Sequence, residues 1–243
     1  DRWVRSSLHA LIRDVTRSLE SYDVLGATRP IQEFVEQLSN WYLRRSRRRF
    51  WKSESDADKN AAYSTLYECL VAVSKLLAPT MPFIADELYL NLVGSVDPTA
   101  AESVHLAAWP QVDESAIDEK LNSDMALVMK LTSLGHAARN KANRKVRQPL
   151  AEVAFSVGNA DEERVVMDYA DLLADELNVK EVRLLNAAGE AVDYSLNPLP
   201  KQLGQKYGSQ YPEIRKVILE LNAEQMATKL LAGEVIQVEV DGQ

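Results

Sequence analysis

The fold class is decided by the stretch Ile31-Gln32-Glu33-Phe34-Val35-Glu36-Gln37-Leu38-Ser39-Asn40-Trp41-Tyr42. Its apolar residues recur at the i, i+3, i+4, i+7 and i+11 spacing of a helix that buries one face. They are Ile31, Phe34, Val35, Leu38 and Tyr42. Similar spacing recurs from Asp1 to Val146, with few β-branched runs and long intervals without Gly. The sequence therefore predicts a mainly α fold built on an antiparallel helical bundle.

Five helices are predicted in this part of the chain. Asp1 caps the first, and the second continues into Lys52. Pro79 ends the third, because the residue before a proline disfavours the helical backbone. Thr80 or Pro82 opens the fourth, and the fifth covers residues 114–146. The predicted inner face of helix one consists of Val4, Leu8, Leu11, Ile12, Val15 and Leu19. That of helix three consists of Tyr63, Leu66, Leu70, Val73 and Leu77, and that of helix four consists of Phe83, Ile84, Leu88, Tyr89 and Leu92. That of helix five consists of Leu127, Leu131, Leu134, Ala138 and Ala142.

After Gln148-Pro149 the hydrophobic pattern changes to period two, which is typical of strands. Strands and helices then mix, so the chain is predicted to consist of two domains. Residues 1–147 form the helical bundle, and residues 148–243 form a small α/β or α+β domain. The predicted strands cover residues 152–157, 179–185, 191–195 and 235–240, and the predicted helices cover residues 161–177, 213–221 and 224–231.

The charge distribution supports the same division. The whole chain carries 28 Lys+Arg and 36 Asp+Glu, a net charge of −8, which excludes a uniformly basic nucleic-acid module. Residues 1–147 hold 20 basic and 19 acidic side chains, whereas residues 148–243 hold 8 and 17. The net charges are thus +1 and −9, so we expect the second domain to be a poor surface for nucleic acid.

Composition and motifs favour a globular binding module over an autonomous enzyme. The chain is 46% hydrophobic and 26% charged. It contains no apolar run of the roughly 18 residues that cross a bilayer. It also lacks the glycine-rich phosphate loops and the nucleophile elbow. His9, His105 and His136 have no metal-ligand spacing, and Cys69 lies among apolar helical residues, so we expect no catalytic residue and no metal site. A cytoplasmic location is expected from the single cysteine, and the absence of an initiator Met is typical of a piece of a longer protein.

The first basic segment, residues 40–52, is the most distinctive feature of the sequence. It reads Asn40-Trp41-Tyr42-Leu43-Arg44-Arg45-Ser46-Arg47-Arg48-Arg49-Phe50-Trp51-Lys52, with six positive charges and no acid. At about 100° per residue the arginines spread around the helix, which disfavours a simple solvated face. The same geometry places Arg45 and Arg49 on the apolar side. They therefore either meet acids or project toward an anionic partner.

The second basic segment, residues 139–147, also contains no acid. Its cations are Arg139, Lys141, Arg144, Lys145 and Arg147. Arginine binds phosphates with two parallel hydrogen bonds, lysine acts as a point charge, and an exposed aromatic ring can stack on a base. The candidate RNA-binding residues are therefore Arg44, Arg45, Arg47, Arg48, Arg49, Trp51, Lys52, Arg139, Lys141, Arg144 and Lys145. Tyr42 is predicted to be a core residue instead, since it continues the apolar stripe.

The sequence resembles the C-terminal, anticodon-binding region of class I isoleucyl-tRNA synthetases. The run Asn40-Trp41-Tyr42-Leu43-Arg44-Arg45-Ser46-Arg47-Arg48-Arg49-Phe50-Trp51 points to the isoleucine family. Further matching stretches are Leu77-Ala78-Pro79-Thr80-Met81-Pro82-Phe83-Ile84-Ala85-Asp86-Glu87-Leu88-Tyr89, Ser103-Val104-His105-Leu106 with Trp109-Pro110, Lys145-Val146-Arg147-Gln148-Pro149-Leu150, and Glu176-Leu177-Asn178-Val179-Lys180-Glu181-Val182. The Ala-Pro-x-x-Pro-Phe and Trp-Pro elements also occur in the valyl and leucyl relatives, so the equivalent region of one of these is an alternative. Beyond Asn197 the resemblance is looser.

The resemblance implies a monomeric, tRNA-binding segment that docks on the anticodon stem-loop of isoleucine tRNA. The parent enzyme would use ATP and Mg²⁺ to attach isoleucine to the tRNA. This sequence has no His-Ile-Gly-His, no Lys-Met-Ser-Lys-Ser and no zinc-binding cysteine set. The segment alone is therefore expected to be non-catalytic, without a cofactor, and to work beside the catalytic and editing domains of the parent chain.

A second interpretation stays open from the residues themselves. The +1 and −9 domains could attract each other, so that residues 1–147 form a helical scaffold whose basic segment contacts a protein rather than RNA. Both interpretations predict the same fold.

Overall fold

Helices dominate the structure, as their sequence spacing predicts. The computed structural model describes residues 1–52, 55–185, 198, 203, 207–221 and 226. The chain divides into two compact units, Asp1–Lys130 and Leu131–Gln243. The mainly helical class with a small strand-containing part is confirmed, whereas the antiparallel direction of the bundle and the domain boundary after residue 147 stay predictions.

The first unit contains most of the helices. Its α-helices are α1 (Arg2–Glu20), α2 (Val24–Gln37), α3 (Arg47–Lys52), α4 (Asp56–Leu77) and α5 (Pro82–Tyr89), and α6 (Glu119–Lys141) contains the point of division. Two π-helical turns, Leu38–Leu43 and Leu90–Gly94, follow α2 and α5. The helix predicted from residue 114 starts later, after a separate 3-10 turn at Glu114–Ala116.

The core of this unit is built by α1, α2 and α4. Residues from these helices pack in one apolar cluster that includes Leu8, Val15, Ile31 and Leu76. Leu8 and Val15 are fully buried. Truncating such a leucine to alanine costs about 2–5 kcal/mol. The predicted inner face of the first helix is therefore confirmed.

The inner face predicted for the third helix is largely confirmed, since Val73 is buried and Leu66, Leu70 and Leu77 pack against the core. The faces predicted for the fourth and fifth helices are partly wrong, because small and polar residues occupy the buried sides of these helices. On α4, Ala62 and Cys69 are buried whereas Tyr63 is exposed. On α5, Ala85 is buried and Phe83 is 90% exposed. Large apolar residues that the pattern assigned to the interior but that are exposed are Val35, Tyr63, Phe83, Ile84, Leu88 and Leu134. A small side chain lets two helices approach closely, and the larger residue beside it then faces outward.

The second unit contains a strand–helix–strand arrangement. β1 (Leu150–Phe155) pairs in parallel with β2 (Val179–Leu184), with Leu150 opposite Val179 and Phe155 opposite Leu184. Parallel strands need a helical crossover, which α7 (Ala160–Asp168) and α8 (Ala170–Leu177) supply. The helix predicted over residues 161–177 is thus divided at Tyr169.

The last described helix is α9 (Tyr211–Glu220), which confirms the helix predicted over residues 213–221. The strands predicted over residues 191–195 and 235–240 lie outside the described residues. Of the helix predicted over residues 224–231, only residue 226 is described, and it is helical.

Candidate nucleic-acid interface

The π-helical turn at Leu38–Leu43 sets the direction of the arginines that follow it. A π-turn inserts one residue into the helical repeat, so later side chains rotate by about 100° relative to a continuous α-helix. Trp41 and Tyr42 are both buried as a result, and Ser46 and Phe50 continue the buried face. Arg45 is exposed. The prediction that Arg45 emerges on the core side is therefore wrong, and the prediction that Tyr42 is a core residue is confirmed.

Arg49 does turn inward and meets acids. Its Nη1 and Nη2 atoms donate to the two carboxylate oxygens of Asp1 at 2.7 and 2.8 Å. Its Nε donates to Oδ1 and Oδ2 of Asp58, both at 3.0 Å. The Tyr42 hydroxyl donates to the same Asp1 carboxylate at 2.7 Å. The Asp1 carboxylate therefore accepts these bonds, and it makes no side-chain cap at the start of α1.

Electrostatics in this cluster follow from the contacts. Hydrogen bonding to Asp58 raises the pKa of Arg49 above its usual value, and the same bond lowers the pKa of the Asp58 carboxyl. Desolvation raises the pKa of Tyr42, so its hydroxyl stays a donor. The Arg49 side chain is only 25% exposed. This side chain therefore joins the first basic segment to α1 and α4, and its RNA contact stays a prediction.

The other arginines of the first basic segment face the solvent. Arg44, Arg45, Arg47 and Arg48 are exposed. The guanidinium carbons of Arg44 and Arg45 each lie 5.9 Å from the ring centre of Trp41, and that of Arg47 lies 5.5 Å from the ring centre of Trp51. Such cation–π contacts hold the guanidinium groups near the aromatic rings.

Trp51 is the exposed aromatic residue of this segment. It is 72% exposed, whereas its neighbour Phe50 is buried against Tyr63 with the ring centres 4.9 Å apart. Phe50 and Trp51 meet edge to face. An exposed aromatic ring beside arginines is suited to stacking on a base. The side chain of Lys52 lies outside the described part of the structure.

The second basic segment divides in the same way into one buried and several exposed cations. Arg139 is 5% exposed and donates to backbone carbonyls, including that of Leu177 at 2.7 Å. The Arg139 guanidinium is thus occupied by carbonyls in the interior, and its RNA contact stays a prediction. The side chains of Lys141, Arg144, Lys145 and Arg147 are exposed. The hydrophobic periodicity did not predict the burial of Arg139, because it assigned Ala138 and Ala142 to the inner face of the predicted fifth helix.

Two side chains that the sequence analysis did not predict bind to the two basic segments. Asp58 lies in the first turn of α4, nine residues from Arg49, and Asn178 ends α8 with a left-handed backbone (φ 49°). The helical angle of Arg49 indicated an acidic partner without identifying it. Among the described residues, no group of His, Cys, Asp or Glu side chains is placed to hold a metal ion. The arrangement suits an extended anionic ligand.

Comparison with known proteins identifies the protein family of this chain. Residues 1–155 match the family model described as the anticodon-binding domain of tRNA ligase. The chain therefore belongs to the anticodon-binding domain family of tRNA ligases.

The relatives reported below are all tRNA ligases of one kind. It is 46% identical over 244 residues to the isoleucine–tRNA ligase of Thermus thermophilus, which covers 100% of this chain and 23% of that protein. It is 56% identical over 180 residues to the isoleucine–tRNA ligase of Dehalococcoides mccartyi, covering 74% of this chain and 18% of that protein. The same ligase of Clostridium acetobutylicum is 42% identical over 243 residues, covering 100% and 23%. The chain is thus similar over its whole length to part of isoleucine–tRNA ligases, and it spans less than a quarter of the length of these relatives.

Within the described ranges, every helix is too short or too polar to cross a bilayer.

Proposed function

We propose that this chain binds the anticodon stem-loop of isoleucine tRNA as one part of an isoleucyl-tRNA synthetase. The observation that carries the proposal is the set of four exposed arginines, Arg44, Arg45, Arg47 and Arg48, beside the exposed Trp51. Phosphate contacts fix the position of a protein on RNA, and aromatic stacking on splayed bases is frequent in single-stranded loops. Lys141, Arg144 and Lys145 supply further phosphate contacts.

The charge of the exposed residues gives the expected salt dependence. Each neutralised phosphate steepens the dependence of log affinity on log salt by about 0.7–0.9. If six of these seven exposed cations bind phosphates, affinity falls by about a thousandfold between 50 and 200 mM salt. If only the four arginines of the first segment do so, the fall is about a hundredfold. A titration of isoleucine tRNA at both salts measures this number directly, and a flat response would refute phosphate binding.

Charge reversal at two exposed arginines tests the location of the surface. Arg47→Glu with Arg48→Glu should weaken tRNA binding strongly and leave the melting temperature nearly unchanged, because both side chains are exposed. The matched control is Arg29→Glu with Lys130→Glu, which changes the net charge equally at two exposed positions outside the basic segments. Equal weakening by both double variants would mean that only overall charge matters, and the proposed location would be wrong.

In this proposal the parent enzyme is a cytoplasmic monomer that performs adenylation, transfer of isoleucine and editing in its other domains. ATP and Mg²⁺ belong to those domains. The chain alone is expected to catalyse no isoleucine-dependent ATP–pyrophosphate exchange with Mg²⁺ present. A measurable exchange rate in the 243-residue chain would contradict this assignment.

A further inference from the structure

Arg139 is a buried cation in the last turn of α6, and all three of its guanidinium nitrogens donate to backbone carbonyls. Nε donates to Leu177 at 2.9 Å, and Nη2 donates to Leu177 and Asn178 at 2.7 and 3.0 Å. Nη1 donates to Lys145 at 3.1 Å, and Nη2 also donates to Gln148 at 3.0 Å. A single side chain thus joins α6, the end of α8 and the segment that precedes β1.

The carbonyls explain how the charge is tolerated. A buried cation is costly unless its donors are satisfied. Leu177 is the last residue of α8 and Asn178 caps it, so their carbonyls lie at the negative end of the helix dipole, where a cation is stabilised. Lysine has a single ammonium group and cannot reproduce the planar fork that reaches carbonyls on two sides.

Two of the accepting carbonyls belong to the basic turn, residues 141–148. The helix α6 ends at Lys141, and Asn143 within the turn has a left-handed backbone (φ 53°). Arg139 bonds the carbonyls of Lys145 and Gln148, and the side-chain amide of Asn178 donates to the carbonyl of Val146 at 2.9 Å. The inner side of the turn is therefore attached to the protein, while its cations Lys141, Arg144, Lys145 and Arg147 are exposed on the outside.

We infer that Arg139 is a positioning residue, which holds the basic turn in one shape so that its exposed cations meet RNA already ordered. The RNA part of this inference rests on the proposed function. A turn that must be ordered during binding loses affinity, by about fivefold for a single backbone residue. Arg139 itself touches no phosphate. Its loss should therefore lower affinity without lowering the number of phosphates neutralised.

The test compares Arg139→Lys and Arg139→Gln with Arg144→Gln in the 243-residue chain. The basic turn contains four trypsin sites, so its mobility can be measured by limited proteolysis without RNA. Loss of the bonds from Arg139 to the turn should raise cleavage at these sites by about tenfold or more. Cleavage at Arg164 in α7 and Arg183 in β2, which belong to the same unit as Arg139, is the internal control for folding. If Arg139→Gln does not fold, Arg139→Lys alone carries the comparison.

Titration with isoleucine tRNA provides the second measurement. We expect both Arg139 variants to bind at least about fivefold more weakly with an unchanged salt slope. Arg144→Gln should lower the slope by about 0.7–0.9 and leave cleavage at the remaining sites unchanged. Unchanged cleavage in the Arg139 variants would overturn the inference, and so would a slope reduced as in Arg144→Gln. If the unaltered chain binds no tRNA, the proposed function fails, and the proteolysis still decides whether Arg139 holds the turn.

Discussion

Two adjacent arginines, Arg48 and Arg49, should respond in opposite ways to the same substitution. Arg48 is exposed, and Arg49 is paired with Asp1 and Asp58. Arg48→Gln should therefore weaken tRNA binding and leave stability unchanged, whereas Arg49→Gln should reduce stability and leave the salt slope of binding unchanged. The two variants differ from the parent by the same loss of one charge, so each is the control for the other.

The stability cost follows from the hydrogen bonds of Arg49. A hydrogen bond to a charged group contributes about 1.5–3 kcal/mol when buried, and an exposed ion pair contributes about 0.2–1 kcal/mol. The Arg49 side chain is 25% exposed, and glutamine retains part of the bonding. We therefore expect a loss of about 1–2 kcal/mol, which lowers the melting temperature by about 2–8 °C. Arg48→Gln should change stability by less than about 0.5 kcal/mol.

The binding cost follows from counterion release. Removal of one arginine that neutralises a phosphate lowers the salt slope by about 0.9. If the parent and the variant bind equally at 1 M salt, the variant therefore binds about eightfold more weakly than the parent at about 0.1 M salt. The assays are thermal unfolding by circular dichroism and tRNA titration at several salt concentrations. If Arg48→Gln lowers the melting temperature as much as Arg49→Gln, or if Arg49→Gln lowers the slope, the structural division between these arginines is wrong.

Three further predictions concern single residues. Burial raises the pKa of Cys69 to about 12, so its thiol should react with a disulfide reagent at pH 8 about a thousandfold more slowly in the folded chain than in guanidinium; equal rates would contradict its burial. Arg49 lowers the pKa of Asp58, so the stability that this carboxylate contributes should be complete above about pH 4 and lost as the pH falls further. The difference in urea unfolding between the parent and Asp58→Asn should therefore shrink on acidification, and a constant difference would be inconsistent with it. A Cβ at Gly135 would lie 2.5 Å from the buried Leu177 side chain, so Gly135→Ala should cost about 1–3 kcal/mol in urea unfolding, despite the better helix propensity of alanine.

Sequence periodicity predicted the helices better than it predicted which side of each helix is buried. The first helix follows the simple rule, because Val4, Leu8 and Val15 are both apolar and buried. On α6 the rule fails, since Leu134 is exposed while Gly135 and Arg139 are buried. Close helix packing and hydrogen bonding to carbonyls decide the buried face there, and neither leaves a hydrophobic signal in the sequence.

The π-helical turn marks a second limit of pattern reasoning. The angles of a continuous α-helix place Arg45 and Arg49 on the same inner side. One inserted residue sends Arg45 outward, and Arg49 reaches inward only because acids at Asp1 and Asp58 accept its bonds. Both acids come from other parts of the chain, so the local sequence cannot identify them. The position of the basic segment was predictable, but the roles of its individual arginines required the tertiary structure.

Each of the two basic segments contains one arginine that is bonded within the protein and several cations that are exposed. The overall net charge of −8 disfavours long-range attraction of RNA, so local cations must supply the binding. Arg49 donates hydrogen bonds to carboxylates, and Arg139 donates hydrogen bonds to backbone carbonyls. We expect each of these two arginines to hold the backbone that carries its exposed neighbours. Affinity should therefore depend on both kinds of residue, whereas the salt slope should report only the exposed ones, because only they displace counterions from phosphates.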